Sequence, residues 1–338
     1  MKHWLITGGA GFIGTNFVRY VAERELATLT VLDKLTYAGS RSNIQTLVDA
    51  GTIRFVEGDI CDEGLVATLF ATTPIDAVVH MAAESHVDRS IAEPHSFIQT
   101  NVLGTYHLLE AAREHWTANG DRHLFLHVST DEVYGSLTAG DSPFTYDSPH
   151  RPNSPYSASK ASADHLVRAW ARTYGVPTAI THCSNNYGPW QWPEKLIPLI
   201  ISNAIADQPL PIYGDGSQIR DWIHVLDHCD ALLAVLQQGR RGETYLVGAN
   251  NELSNLALVH EICRHVDERL GRTAGTSARL ITHVDDRPGH DIRYAIDAQK
   301  AERELNWRPT RSFDAGLREV VAWYVDHQTW SNARRQSA

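Results

Sequence analysis

Short runs of aliphatic and β-branched residues recur through the first half of the chain at Trp4–Thr7, Leu29–Asp33, Ile53–Glu57, Ala77–His80 and Leu124–Ser129. Between the last two the period changes. Ile98, Asn101, Val102, Thr105, Leu108, Leu109 and Ala112 recur at the spacing of one helix face. Strands alternating with helices predict a parallel sheet covered on both faces, the doubly wound, Rossmann-type α/β class. A further helix is expected to start at Ser154-Pro155, N-cap and first-turn proline, and to stop near Gly175 before Pro177. Its predicted apolar stripe is Ala163, Leu166, Val167, Trp170, Ala171 and Tyr174, and a strand at Thr178–Thr181 follows. From about Tyr187, prolines 189, 193, 198, 209 and 211 and glycines 188, 214 and 216 break the pattern. Such a stretch reads as a binding region laid over the sheet rather than as more sheet. Helical spacing resumes in the C-terminal third, as at Leu317, Val320, Val321 and Tyr324. The expected division is a sheet domain over 1–186, rejoined around 221–248, and a smaller, interdigitating domain made mainly of 187–338.

Composition narrows the class. The 338 residues are 43% hydrophobic and 21% charged, and no apolar run reaches the ~18 residues of a membrane helix. A formal charge of -10 has the wrong sign for a nucleic-acid backbone binder, while leaving room for a local basic pocket that takes one small anion. Cys61, Cys183, Cys229 and Cys263 lie far apart without C-x-x-C spacing, so a reducing cytoplasm is expected rather than a disulfide framework. The first apolar residues run into glycines too early for a signal peptide. His224/His228 and His260/His265 have no third ligand at a recognisable spacing, and no metal is expected.

Thr7-Gly8-Gly9-Ala10-Gly11-Phe12-Ile13-Gly14 follows the first predicted strand and opens a helix bearing Phe17, Val18 and Val21. Glycines there permit a tight turn, let the backbone approach a pyrophosphate and let helix pack on strand, with the helix N-terminus facing the anion. Asp33 ends the second predicted strand, where a carboxylate binds an adenosine ribose diol and repels a 2′-phosphate. NAD is therefore favoured over NADP, although Lys34 beside it pulls the other way. Asp59-Ile60 either flanks the adenine or makes a simple turn.

Tyr156 and Lys160 stand four apart near a helix start and so share a face. A phenol working as base at neutral pH needs its pKa lowered by about 3 units, roughly 4 kcal/mol. A lysine ammonium and an oxidised nicotinamide both have the right sign. Ser129-Thr130-Asp131-Glu132-Val133-Tyr134-Gly135 falls where the fifth strand ends, the side on which doubly wound sheets bind ligands. Its adjacent carboxylates either sit in a solvated loop or reach one substrate as a tuned acid and base.

Taken together, these motifs resemble the extended short-chain dehydrogenase/reductase family and, within it, the nucleotide-sugar 4,6-dehydratases. Asp33–Gly39, Ala82–Ser90, Pro155–Lys160, Cys183–Pro189, Glu194–Pro198 and Asp286–Asp291 carry the same likeness, which spans nearly the whole chain. Departures are slight: Thr15 and Met81 replace a commoner serine and leucine, and Ser40-Arg41-Ser42 differs. The resemblance implies a homodimer using NAD, with dTDP-glucose as substrate. It implies that Tyr156, aided by Lys160 and Thr130, takes the sugar 4-hydroxyl proton while carbon 4 yields hydride. Glu132 then removes the carbon 5 proton, protonated Asp131 donates to the departing 6-hydroxyl, and the hydride returns at carbon 6.

It also implies cofactor contacts at Gly8, Gly11, Phe12, Ile13, Gly14, Asp33, Lys34, Leu35, Thr36, Asp59, Ile60, Met81, Ala82, Ala83, Ser85, Thr100, Tyr156, Lys160 and Asn186. Implied substrate contacts are Ser85, Thr130, Asn185, Glu194, Lys195, Leu196, Pro211, Tyr213, Arg220, Asn255, Arg287 and His290. Arg220 and Arg287 suit a diphosphate. Tyr213 either stacks on the base or packs in its loop, and Asn101 suits a cofactor contact or a hydrogen-bonded core position. Two other functions share much of this sequence logic. A nucleotide-sugar 4-epimerase uses the tyrosine, lysine and NAD but has no need of the Asp131-Glu132 pair. A catalytically silent NAD-binding regulator has no need of any of the four.

Overall fold

A computed structural model describes residues 2–116, 123–286 and 289–335. Six strands alternate with helices: β1 (His3–Thr7), β2 (Thr28–Asp33), β3 (Ile53–Glu57), β4 (Ala77–His80), β5 (Leu124–Thr130) and β6 (Thr178–Cys183). The chain then makes β7 (Asn185–Tyr187), β8 (Leu210–Tyr213) and β9 (Ile219–His224) before β10 (Thr244–Val247) adds a seventh strand to the main sheet. That sheet runs β3-β2-β1-β4-β5-β6-β10 with every pairing parallel. The order reverses between β1 and β4, which opens a crevice at their carboxyl ends.

Alternation along each strand feeds two layers. Trp4 and Ile6 join Phe17, Val18 and Val31 on one face, while Leu5 joins Leu108, Leu109 and Phe125 on the other. Both faces are dry, which accounts for nearly unbroken apolar strands. Helix Pro155–Tyr174 begins and ends on the signals in its sequence. Ser154 and Ser157 form a reciprocal capping box, and Gly175 closes the helix in the left-handed region at φ 72°. Its predicted stripe is buried only in part: Ala163 and Val167 are buried, whereas Tyr174 is 53% exposed.

The proline-rich stretch departs from expectation, because it carries strands of two further small sheets. β9 lies between β7 and β11 (Glu252–Ser254), and β8 pairs in parallel with β12 (Ile281–Val284). Helices Leu196–Ile205, Asn255–Leu270 and Phe313–Asp326 close over them around a separate core of Ile200, Ile201, Leu258, Ile262, Leu317 and Val320. Helix Gln328–Arg335 returns to the first lobe. Trp330 donates to the Asn43 Oδ1 (3.0 Å), and Arg334 donates to Ser40 and Ser42. Among the described residues no helix is long and apolar enough to cross a membrane.

Candidate active site

The glycine turn lies against the crevice at the switch point. Gly8 has φ 71°, and a Cβ there would stand 2.6 Å from the Ala82 nitrogen, so the turn abuts the chain leaving β4. At Gly14 a Cβ would stand 2.1 Å from the Gly8 carbonyl oxygen. Helix Phe12–Glu23 starts directly above this turn, with Gly11 as N-cap and no side chain covering its first N–H groups. Asp33 accepts from the Ala10 and Leu35 N–H groups (both 2.8 Å). Burial pushes its carboxyl up, and those two N–H bonds oppose the shift. Lys34 is engaged elsewhere, 2.5 Å from the Asp59 carboxylate. The sequence left Lys34 as an argument for a 2′-phosphate; in the structure Lys34 pairs with Asp59 instead.

Across the crevice, β5 delivers Thr130 and the 3₁₀ turn Asp131–Tyr134. Thr130 caps that turn by accepting from the Glu132 N–H (3.3 Å). Asp131 is 1% exposed, and burial, then the neighbouring charges of Glu132 and Asp221, raise its carboxyl well above the usual range. The shift favours the protonated form of the carboxyl. Glu132, one residue on, is only half-buried. Adjacent acids in unlike surroundings are the arrangement that separates an acid from a base.

Tyr156 and Lys160 are both buried and line this cleft with Thr130, Asp131 and Glu132. Lys160 donates its Nζ to the Val128 carbonyl (2.9 Å), and among the chain's own groups the balance raises the phenol rather than lowering it. Burial, then Glu132, Cys183 and Asp131, push Tyr156 well above the usual range, with Thr130 pulling against them. Burial brings Lys160 itself down to about 8.

Nearly all the expected cofactor positions line one continuous cleft: the glycine turn, Asp33, Lys34, Thr36, Asp59, Ile60, Met81–Ala83, Ser85, Thr100 and Asn186. Leu35 is not in its lining; it serves the turn after β2 in the left-handed region at φ 56°. Of the expected substrate positions, Ser85, Thr130, Asn185 and Lys195 line the same cleft, with Lys195 donating to the Ser85 carbonyl (3.1 Å). A second group collects beside it. Tyr213, on β8, points its hydroxyl at Asp88 (3.4 Å) and meets the His290 ring edge-on at 6.2 Å. His290 is bonded to Asp286, which accepts from Gln218, whose carbonyl accepts the Asn255 N–H. Arg220 is 5% exposed, donates to the Asp291 carbonyl (2.9 Å) and lies over the Tyr294 ring. Pro211 sits beside Tyr213 on β8, and Leu196 opens its helix next to Glu194, which pairs with His86. Arg287 lies outside the described residues.

Asn101 is a hydrogen-bonded core residue. It bonds the Glu84 N–H and carbonyl (2.9 and 3.0 Å) and donates to Ser159 (2.8 Å), tying the loop after β4 to the Tyr156 helix. It lies in a π-helical stretch, Ile98–Gly104, a distortion frequent beside functional sites. Gln191 and Trp192 also line the cleft but stand in no pattern that marks them from sequence.

A cradle that any side chain on Gly8 or Gly14 would fill, with a helix N-terminus above it and the Asp33 carboxylate beside it, fits a dinucleotide. With Asp131, Glu132, Tyr156 and Lys160 lining the same cleft, the fold and cleft define an NAD-dependent enzyme of the extended short-chain dehydrogenase/reductase class. The family model described as GDP-mannose 4,6 dehydratase matches residues 5–320, and the chain belongs to that family. It is 53% identical over 335 residues to a dTDP-glucose 4,6-dehydratase of Xanthomonas campestris pv. campestris (98% of this chain, 95% of the relative). It superposes on the crystal structure of DesIV, the dTDP-glucose 4,6-dehydratase of Streptomyces venezuelae with NAD and TYD bound. The TM-score is 0.89 at 46% identity, covering 98% of this chain and 99% of that one. UDP-glucose 4-epimerase of Thermotoga maritima superposes with a TM-score of 0.86 at 26% identity, covering 96% and 99%. The backbone alone therefore does not separate dehydration from epimerisation, and the side chains at the cleft must.

Proposed function

We infer that this chain is a dTDP-glucose 4,6-dehydratase, forming dTDP-4-keto-6-deoxyglucose and water. The observation that carries the reading is the buried Asp131, its carboxyl raised by burial, beside half-buried Glu132 in one cleft with Tyr156. When bound, NAD supplies the oxidant at carbon 4, the reductant at carbon 6 and the positive charge that draws the Tyr156 phenol down. Tyr156 takes the 4-hydroxyl proton, with Thr130 as its hydrogen-bond partner. A ketone at carbon 4 acidifies carbon 5, and Glu132 removes that proton. Asp131 gives its proton to the 6-hydroxyl, which leaves as water; Glu132 then returns a proton to carbon 5. Each transfer of this kind contributes about 10²–10⁴-fold.

Isotope tracing tests the reading. dTDP-glucose deuterated at carbon 4 should yield a 4-keto-6-deoxy product with the label at carbon 6 of the same molecule. Label kept at carbon 4 would mean epimerisation, and no turnover would mean a silent binder.

The partner we infer is a second copy. Ile98, Leu103 and Tyr106 are 47, 47 and 38% exposed on neighbouring turns, and Tyr106 meets Trp170, which in turn meets exposed Tyr174. Apolar groups gathered on adjoining helices make a face suited to burial against its own symmetry mate. Light scattering should give twice the 37.6 kDa chain mass, and Leu103→Glu should give the single chain. A monomeric wild type at micromolar concentration would end this reading. The cytoplasm is its expected location, since the four cysteines are free thiols and three of them are buried.

A further inference from the structure

Helix Pro155–Tyr174 sets Tyr156, Lys160 and Asp164 at successive four-residue intervals on one face. Asp164 is 0% exposed, and the catalytic steps above make no use of it. Its Oδ2 lies 3.0 Å from His182 Nε2, and its Oδ1 3.4 Å from His127 Nε2. The other nitrogen of His182 is 2.6 Å from the Tyr134 hydroxyl. Tyr134 is the last residue of the turn that carries Asp131 and Glu132. Two arms therefore run from one carboxylate. The first is the place of Asp164 one turn beyond Lys160 on the same helix face, from which its charge acts on the ammonium, and the second passes through His182 and Tyr134 to the acid–base turn.

A buried carboxylate costs several kcal/mol unless its partners repay it, so its place here calls for a role. We propose that Asp164 is a positioning residue of the reaction, steadying the Lys160 ammonium on one side and the Asp131–Glu132 turn on the other. This rests on the dehydratase reading.

The surroundings support it. Lys160 faces His80 from β4, His127 from β5, Cys183 from β6 and Asp164 from its own helix. Asp164 is the carboxylate among them, and its charge opposes the downward push of burial. His127 is fully buried and held at about 4, hence neutral at pH 7. Burial would raise the Asp164 carboxyl, but His182 and His127 outweigh it and hold it well below the usual range. From the outer side, His150 and Arg168 face the same Tyr134–Asp164 pocket.

Asp164→Asn keeps the size and an acceptor for His182 but removes the charge. With NAD and dTDP-glucose, the variant should bind both within about 2-fold of wild type while kcat falls about 10-fold. Its kcat profile should lose activity at lower pH, with the alkaline limb moved down about 1 unit, because the ammonium has lost its carboxylate. Asp164→Glu should move the limb back. Tyr134→Phe cuts the second arm alone; it should leave the limb in place, lower kcat and slow exchange of the carbon 5 hydrogen with solvent deuterium. An unmoved limb in Asp164→Asn would overturn the first arm, and full turnover by Tyr134→Phe the second, which also serves if Asp164→Asn does not fold. The donor atoms of His150, Asp164 and His182 lie within 4.8 Å of one another. A stoichiometric divalent metal there in the purified wild type would replace the proposal with a metal site. Wild-type product identity tests the reaction and the variant pH profile tests Asp164, so the two failures are read separately.

Discussion

Replacing Glu132 with glutamine is expected to lower turnover by about 10²–10⁴-fold while substrate affinity stays within a few-fold of wild type. Glutamine has the same shape but accepts no proton from carbon 5. Tyr156, Lys160 and Thr130 are untouched, so the first proton transfer survives and the reaction stops before water is lost. The check is direct: in deuterated water the wild type should place deuterium at carbon 5, and the variant should place none. A second consequence has a definite sign. Glu132 raises both Asp131 and Tyr156, so its neutralisation lets both ionise more easily and moves the acidic limb governed by Tyr156 to lower pH. Wild-type turnover by this variant would remove Glu132 from the reaction.

Gly14→Ala is expected to weaken NAD binding by about 10²-fold, equivalent to losing one or two charge-assisted hydrogen bonds. The new methyl would stand 2.1 Å from the Gly8 carbonyl oxygen and 2.7 Å from the Gly9 Cα. Both are backbone, so neither can swing aside; the turn or the helix start must move, and the N–H groups of the helix N-terminus move with it. Overpacking of this kind also costs about 1–3 kcal/mol of stability. Calorimetry with NAD and thermal unfolding without it separate the two effects. Unchanged affinity in a folded variant would mean that the pyrophosphate does not rest on this turn.

Much of this molecule can be read from its residues because the signals are local. β3 and β4 occupy the predicted residues, and Ser154, Pro155 and Gly175 mark the ends of the catalytic helix through capping chemistry that needs no distant partner. The glycine turn and the Asp131-Glu132 pair are equally local. What escapes is non-local. β8 and β12 are four-residue strands that pair in parallel across some seventy residues, too short between prolines and glycines to show a period. Lys160 turns to the Val128 carbonyl rather than serving only Tyr156, and that depends on how deeply β5 buries it. The bonds of Asn101 to Glu84 and Ser159 join segments that sequence spacing cannot relate.

β10 lies beside β6, yet everything from 184 to 243 intervenes between them. Closing so long an excursion costs chain entropy before any of its contacts form, and contacts of this separation slow folding. The edge of the large sheet thus rests on a pairing made across the whole of that excursion. No single cut in the backbone frees either lobe with its complement of strands: a nick near 190 strands β10 on the wrong fragment, and one near 250 takes β11 from its neighbour. Halves made separately would regain their native form only by meeting each other.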